Sequence, residues 1–553
     1  MHDNADKISR PGASPRAALA VILAAWLGLS LWAGQRFWER PLAPQPSAIL
    51  PCVSYAPFRD PAHSPFDPTL RFSREQLQRD LQQIRTISPC LRTYGLDQGM
   101  DAIPELARSL GLRLRMGVWI GPDRQANRRE IERAVALARE YPDVIDMVIL
   151  GNEVLLRGDL PVGELAKLLA ELRAELAIPV TYADVWAFWQ RHAQHLLPHT
   201  DLVTVHILPY WEDDPVGISR AVDYVHERYA EMQRLFSPLP VWVGETGWPA
   251  WGRARGPALP GVQEQRYFVH SLLTRQDVTP IDFNLIESFD QPWKRVQEGA
   301  MGGAWGLFAS DGSRRVDWTR PLPQTQFWLV LAGLMAGWSL LLLAGPRLRW
   351  ALATGLLIAG LAVVQAEMAW LWSRSAAAWG LAMAGVFIST ALCLCLALRL
   401  PRQTGSQAFA FTIAGYAKAH DRGITTSGSL LGGDPRLLPQ SDRLLQGLIF
   451  LWLCLVLWQV FWLIMDGRYR PFGWPLLLGP VVFAVAWRLS HRARACHCWR
   501  SWTLRAMAVT AGLAGIGLAL LEGLENPQAV AMAALLVMTG LVYGLPGAGV
   551  DQT

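Results

Sequence analysis

DMVILGNEVLL, residues 146–156, is an apolar run that ends in Gly-Asn-Glu, so that Glu153 stands where a strand would meet its loop. Carboxylates are almost never buried without a partner. An acid at this point is either a solvated loop group or one held there for chemistry. Seven more β-rich runs bear on the choice: VSYA (53–56), LRTY (91–94), LRMGVW (114–119), PVTYAD (179–184), LVTVHI (202–207), PVWVGE (240–245) and DFNLIES (282–288). Helical patterns separate most of them, among them SREQLQRDLQQIRTI (73–87), NRREIERAVALAREY (127–141) and VGELAKLLAELRAEL (162–176). In the first of these, Ser73 and Gln76 have capping-box spacing, and Leu77, Leu81 and Ile84 form an apolar stripe. Eight strands alternating with helices predict an α/β fold, a (β/α)8 TIM barrel. A doubly wound open sheet is the alternative, weakened because no Gly-rich phosphate loop follows any strand.

A barrel gathers its active residues at the C-terminal ends of its strands. Tyr55, Arg92, Tyr94, Asn152, Glu153, Trp186, His206, Tyr210, Trp211, Glu245, Trp248, Glu287 and Trp293 lie at or just beyond those ends. Scattered loop acids explain any one of them poorly as part of such a set. The fourth and seventh strands face each other across a barrel mouth, which pairs Glu153 with Glu245. Two carboxylates over a sugar suit glycoside hydrolysis or transfer. One must donate a proton to the leaving oxygen while the other attacks the anomeric carbon, so their surroundings must separate their pKa values. Asn152 offers amide contacts to a hydroxyl, and aromatic rings match pyranose faces. Arg92 reads first as the ion-pair partner of an active-site carboxylate. His206 reads either as a core histidine or as a group that hydrogen-bonds a sugar or orients a glutamate. Nothing in this region implies a metal, nucleotide or other cofactor.

The rest of the chain has a different composition. Of 553 residues, 51% are apolar and only 18% charged, which predicts membrane segments. Residues 17–34 form one apolar run, and seven more follow at 327–345, 350–372, 377–398, 444–465, 472–489, 506–522 and 528–548. Several reach the about 20 residues that a spanning helix needs. The run at 350–372 carries Gln365 and Glu367, the acid near one end, where an interfacial position suits it. With eight spans, the basic residues before 17 and those around 347–349, 399–443 and 488–505 fall on one side. The positive-inside rule makes that side cytoplasmic. The opposite loops hold only Arg374, Arg468 and Arg470. The expected layout is a cytoplasmic start (1–16), an uncleaved anchor (17–34), an extracytoplasmic barrel (40–320) and a membrane domain (327–548) with a cytoplasmic loop at 399–443. The location expected is a bacterial inner membrane with the barrel in the periplasm. The net charge of +5 reflects the basic loops, so it makes no case for a nucleic-acid partner.

Seven cysteines are present. Cys393, Cys395 and Cys454 lie in spans and read as inert packing residues. Cys496-His497-Cys498 lacks a fourth ligand for a structural metal site. Cys52 and Cys90 each open one of two neighbouring parallel strands, about 4.8 Å apart, and an oxidising compartment would join them.

VSYAPF (53–58), LRTYG (91–95), LGNEV (150–154), VHILPYWE (205–212), VGETGWP (243–249) and NLIESFDQPWK (284–294) together resemble glycoside hydrolase family 17, the β-1,3-glucanase-like barrels. The resemblance covers residues 48–315 and implies that Glu153 is the acid/base and Glu245 the nucleophile. The sixth strand departs from the plant-type Asn-x-Tyr-Pro-Tyr and reads His-Ile-Leu-Pro-Tyr-Trp. In this it is similar to bacterial, membrane-attached relatives, some of them β-glucan transglycosylases or β-1,6-glucan synthases. The resemblance therefore implies a retaining enzyme that remodels β-glucan, with the lipid bilayer and a glucan synthase as partners. A plain β-1,3-glucanase is one alternative, and a glucan-binding receptor or transport-associated module without catalysis is another.

Overall fold

The computed structural model describes residues 15–37, 49–318 apart from 277 and 316, 325–400 apart from 374, 440–490, and 501–545. The stretch before residue 15, Arg374, most of the 399–443 loop and Cys496-His497-Cys498 lie outside the described residues.

Eight parallel strands close into a barrel in chain order. They are β1 (Cys52–Ser54), β2 (Cys90–Arg92), β3 (Arg113–Val118), β4 (Ile145–Asn152), β5 (Val180–Val185), β6 (Val203–His206), β7 (Val241–Thr246) and β8 (Phe283–Leu285). β8 returns to pair with β1 and leaves no free edge. Alternation along each strand sorts the side chains. Val148, Leu150, Val203, Val205, Val241 and Val243 pack outward against the helices. Met147, Ile149, Ala183 and Trp242 form a separate inner cluster. The helix Arg74–Arg85 begins as its sequence predicts: the Ser73 hydroxyl accepts from the Gln76 amide at 3.2 Å, and Leu77, Leu81 and Ile84 are buried.

The helix before the barrel and those from Thr325 onward are apolar. Among the described residues six are long and hydrophobic enough to cross a membrane, and Ala332–Leu343 and Trp474–Ser490 are shorter. The N-terminal helix Pro15–Phe37 belongs to this bundle, with Ala18, Ile22, Trp26 and Leu29 in one core with Leu357, Leu361, Leu477 and Val481. The barrel and the helical region thus each have a hydrophobic core of their own, besides the inner cluster of the barrel.

Candidate active site

The site begins with Gly244 in β7. A Cβ there would come within 2.5 Å of the Thr204 methyl and 3.3 Å of the His206 ring, so only glycine fits between them. Its carbonyl accepts from Arg92 at 2.8 Å and from Asn284 at 2.9 Å. Arg92, at the end of β2, therefore reaches across the barrel instead of out into solvent. The same guanidinium donates to Glu245 Oε1 at 3.0 Å and to Asn152 Oδ1 at 2.5 Å. The Tyr94 hydroxyl lies 2.9 Å from both Glu245 Oε1 and Ser54 Oγ. Glu245 is 4% exposed. Its hydrogen bonds among the described residues all fall on Oε1, leaving Oε2 toward the cleft.

Glu153 follows Gly151 and Asn152 at the end of β4. Its φ of 54° is left-handed, a conformation uncommon for a residue with a side chain. Its amide still pairs with the Ala183 carbonyl at 2.8 Å, so the chain turns sharply from strand into the helical turn Val154–Arg157. The carboxylate meets His206 Nδ1 at 2.9 Å, and its side chain keeps 24% of its exposure. Burial opposes its charge, but the His206 contact, with Arg157 and Arg92 nearby, outweighs burial and holds its pKa below the ordinary glutamate value. His206 Nε2 lies 3.7 Å from Glu245 Oε1, so one imidazole bridges the two acids. One ligand atom each from Glu153, His206 and Glu245 lies within 4.8 Å of the others, a spacing that could hold a metal ion. The Arg92 guanidinium, 3.0 Å from the same Glu245 oxygen, already supplies positive charge there, which works against a cation.

A second acidic layer lies beside this one. Glu287 is buried against Lys294 Nζ at 3.0 Å, and burial raises its pKa to about 8 despite that ammonium. Burial also raises Glu298 to about 7; Lys294 opposes this, and the charges of Glu153 and Glu245 add to it. Burial alone would lower Lys294, but Glu287, Glu298 and Glu245 outweigh it and raise it. Sequence reasoning found Glu287 and missed Lys294 and Glu298. Both lie in the stretch that follows the last strand, and that place is the signal that could have marked them.

The expected aromatic platforms divide. Trp186, Trp211 and Trp293 are half-buried and keep open surface. The Trp186 indole donates to Glu212 at 3.2 Å, and that of Trp293 to Gln291 at 3.0 Å. Tyr55, Tyr210 and Trp248 have no free face, at 0%, 0% and 1% exposed. The Tyr55 hydroxyl is spent on Asp80 at 2.9 Å, that of Tyr210 on the Arg253 carbonyl at 2.7 Å, and the Trp248 indole on the Leu259 carbonyl at 3.1 Å. These three are packing residues, because a ring at a strand end can turn down into the helix layer as readily as up into the mouth. Trp305, buried and offset-stacked on Trp211 at 6.5 Å, was not foreseen. At the opposite end of the barrel Cys52 and Cys90 are joined by a disulfide, with Cα atoms 4.5 Å apart.

Residues 52–306 match the family described as the BtgE/BtgC glycoside hydrolase domain. Among curated relatives, the probable beta-glucosidase btgE of Aspergillus fumigatus is 25% identical over 224 residues, 39% of this chain and 39% of its own length. The glucan 1,3-beta-glucosidase of Schizosaccharomyces pombe is 25% identical over 244 residues, 41% of this chain and 75% of its own. The chain thus spans about two-fifths of the length of the Aspergillus relative and most of the yeast one. Among solved structures, the β-1,3-glucanosyltransferase of Rhizomucor miehei is 22% identical, with 48% of this chain and 96% of that one covered at a TM-score of 0.42.

Proposed function

We propose that residues 52–306, which match the BtgE/BtgC glycoside hydrolase domain, form a β-1,3-glucanase-like domain of the family 17 type, and that the protein is a retaining β-glucan transglycosylase and hydrolase. Glu245 is the nucleophile and Glu153 the acid/base. The observation that carries this is the spacing. Oxygens of the two carboxylates lie within 4.8 Å, in keeping with the about 5–5.5 Å of retaining sites and short of the about 6.5–9.5 Å that admits a water between the groups. Glu245 Oε2 attacks the anomeric carbon while Oε1 stays bound to Arg92 and Tyr94. Glu153 gives its proton to the glycosidic oxygen as that C–O bond breaks. A covalent glycosyl-enzyme remains. Glu153 then takes the proton of an incoming hydroxyl, from water or from a second sugar. The substrate displaces water around Glu153, which favours its neutral form at the moment of donation, and His206 stands in contact to relay the proton.

Transfer competes with water only if the acceptor is held in place, where orientation supplies a large effective molarity. Trp186 and Trp211, with Glu212 between them, line the mouth for such an acceptor. The bond formed is β-1,3 or β-1,6 according to which acceptor hydroxyl that edge presents to Glu153. The apolar helices support a membrane location, and the bias of the basic loops favours the extracytoplasmic face of a bacterial inner membrane for the barrel. There a glucan synthase would supply its donor.

The test uses the full chain in detergent with millimolar laminari-oligosaccharides. Products longer than the donor, with retained anomeric configuration by early-time NMR, are expected. Only shorter products leave a plain β-1,3-glucanase. Inverted product removes the nucleophile role of Glu245, and binding without turnover leaves a glucan receptor.

A further inference from the structure

The barrel meets the helical region with its catalytic mouth, not its base. Arg253, in the loop after β7, is 4% exposed. Its guanidinium donates to the Arg470 carbonyl at 3.0 Å, pairs with Glu522, and lies 4.2 Å from the Phe472 ring centroid. Asn526 donates to the Ala254 carbonyl at 3.0 Å, and the Ala254 amide donates to Gln528 at 3.0 Å. Two connections between apolar helices, 466–473 and 523–526, thus close over loops of the catalytic face.

One of them extends to the cleft edge. Tyr469 is half-buried, with its ring edge-on to Trp211 at 6.1 Å. Arg468, 47% exposed, donates to the Trp211 carbonyl at 3.3 Å and faces Asp213 at 3.8 Å. The Tyr469 carbonyl lies 2.5 Å from where a Cβ on Gly299 would stand, so the loop presses on the residue after Glu298. Glu298 in turn feels the charges of Glu153 and Glu245. Trp186, Glu212, Trp211, Tyr469 and Arg468 form a continuous strip of partly open aromatic and charged groups. Rings with polar rims beside an arginine are what a pyranose chain uses for stacking and hydroxyl contacts.

Resting on the glucan reading above, we propose that the loop 466–472 between apolar helices supplies the distal subsite of the cleft. Tyr469 and Arg468 bind a sugar unit of a β-glucan chain away from the scissile bond. The helical region then sets which chain lengths are used, in addition to anchoring the enzyme.

The full chain carrying Tyr469→Ala, Tyr469→Phe or Arg468→Ala is assayed with laminarihexaose and with nitrophenyl β-laminaribioside, a donor chosen for having too few sugars to fill a subsite distal to the scissile bond. Tyr469→Ala is expected to raise KM for the hexaose about tenfold and lower its transfer-to-hydrolysis ratio, with nitrophenyl release held within about twofold. Tyr469→Phe keeps the ring and should stay near wild type. Unchanged hexaose KM and product lengths in both Tyr469→Ala and Arg468→Ala overturn the inference. So does a parallel loss on both substrates, which would mark a purely structural role. A wild-type chain inert toward every β-1,3-glucan removes the glucan reading and this subsite together, whereas an active one with unmoved variants removes the subsite alone.

Discussion

Both regions bury polar groups, but of different kinds. At the barrel mouth Arg92, His206, Glu245, Asp184 and Glu287 are 0–4% exposed, and most of these groups carry or exchange charge. In the helical region the buried polar side chains Gln365 and Ser389 are neutral, and they serve the backbone. Pro480 sits inside the helix Trp474–Ser490, where it has no amide to offer the carbonyl four residues earlier. That carbonyl, of Leu476, accepts instead from the Trp452 indole at 3.1 Å and the Ser389 hydroxyl at 3.4 Å, while Gln365 donates to the Pro475 carbonyl at 2.8 Å. Within a bilayer every backbone group must find a partner in the protein. Buried charge is thus gathered at the barrel mouth, whereas the buried donors of the helical core serve backbone carbonyls.

The most severe way to break that contrast is at the charged pair. Glu245→Ala should lower turnover on β-1,3-glucan by about a thousandfold or more, and Glu153→Gln by about a hundredfold to ten-thousandfold. Azide should restore part of the Glu245→Ala activity and yield an inverted glycosyl azide, whereas rescue of a small-side-chain variant at Glu153 should give the retained one. Near-normal turnover of Glu245→Ala would show that this carboxylate pair is structural after all.

Arg92 tests whether the charge network tunes the acid it touches. Arg92→Leu removes the cation from Glu245 Oε1 and the donor from Asn152 and Gly244. Breaking one partner of a buried pair costs about 3–5 kcal/mol, so a lower thermal midpoint is expected. The Arg92 charge also helps to hold the Glu153 pKa below its ordinary value, so its loss should raise that pKa. The basic limb of the kcat/KM profile, where the proposed acid loses its proton, should therefore move to higher pH. An unmoved limb in a folded variant would mean that Arg92 only holds position.

These outcomes also bear on how much was legible beforehand. The eight strands were readable because each is a short β-rich run with a polar or aromatic residue where it stops, and a parallel barrel makes that stop the active face. The position of Glu153 and Glu245 at strand ends was readable for the same reason, each closing a run just after a glycine. Tyr55, Tyr210 and Trp248 misled because sequence position does not tell whether a ring turns toward the mouth or the helix layer. Lys294 and Glu298 lie in short helical turns after β8 with no periodic pattern to mark them. The docking of Arg253 on Glu522 joins residues 269 positions apart, and no local signal carries such a contact. Arg468 and Arg470 were noted only as exceptions to a charge bias, yet they belong to the loop that meets the cleft.

The smallest expected effect sharpens the other half of the contrast. Trp452→Phe keeps an aromatic ring in the helical core but removes a donor to the Leu476 carbonyl. Hydrogen bonds between helices in a membrane contribute about 0.6–1.7 kcal/mol, so a modest drop in the thermal midpoint of the detergent-solubilised chain is expected, with glucan turnover unchanged. If the indole is there because Pro480 leaves that carbonyl open, restoring the amide should make it dispensable. In a Pro480→Ala background, the further cost of Trp452→Phe should shrink toward zero, which a double-mutant cycle reads directly. Equal costs in both backgrounds would show that Trp452 acts by packing alone. A loss of turnover comparable to that of Arg92→Leu would instead tie the helical core to the chemistry, and the separation between charged and neutral burial would fail.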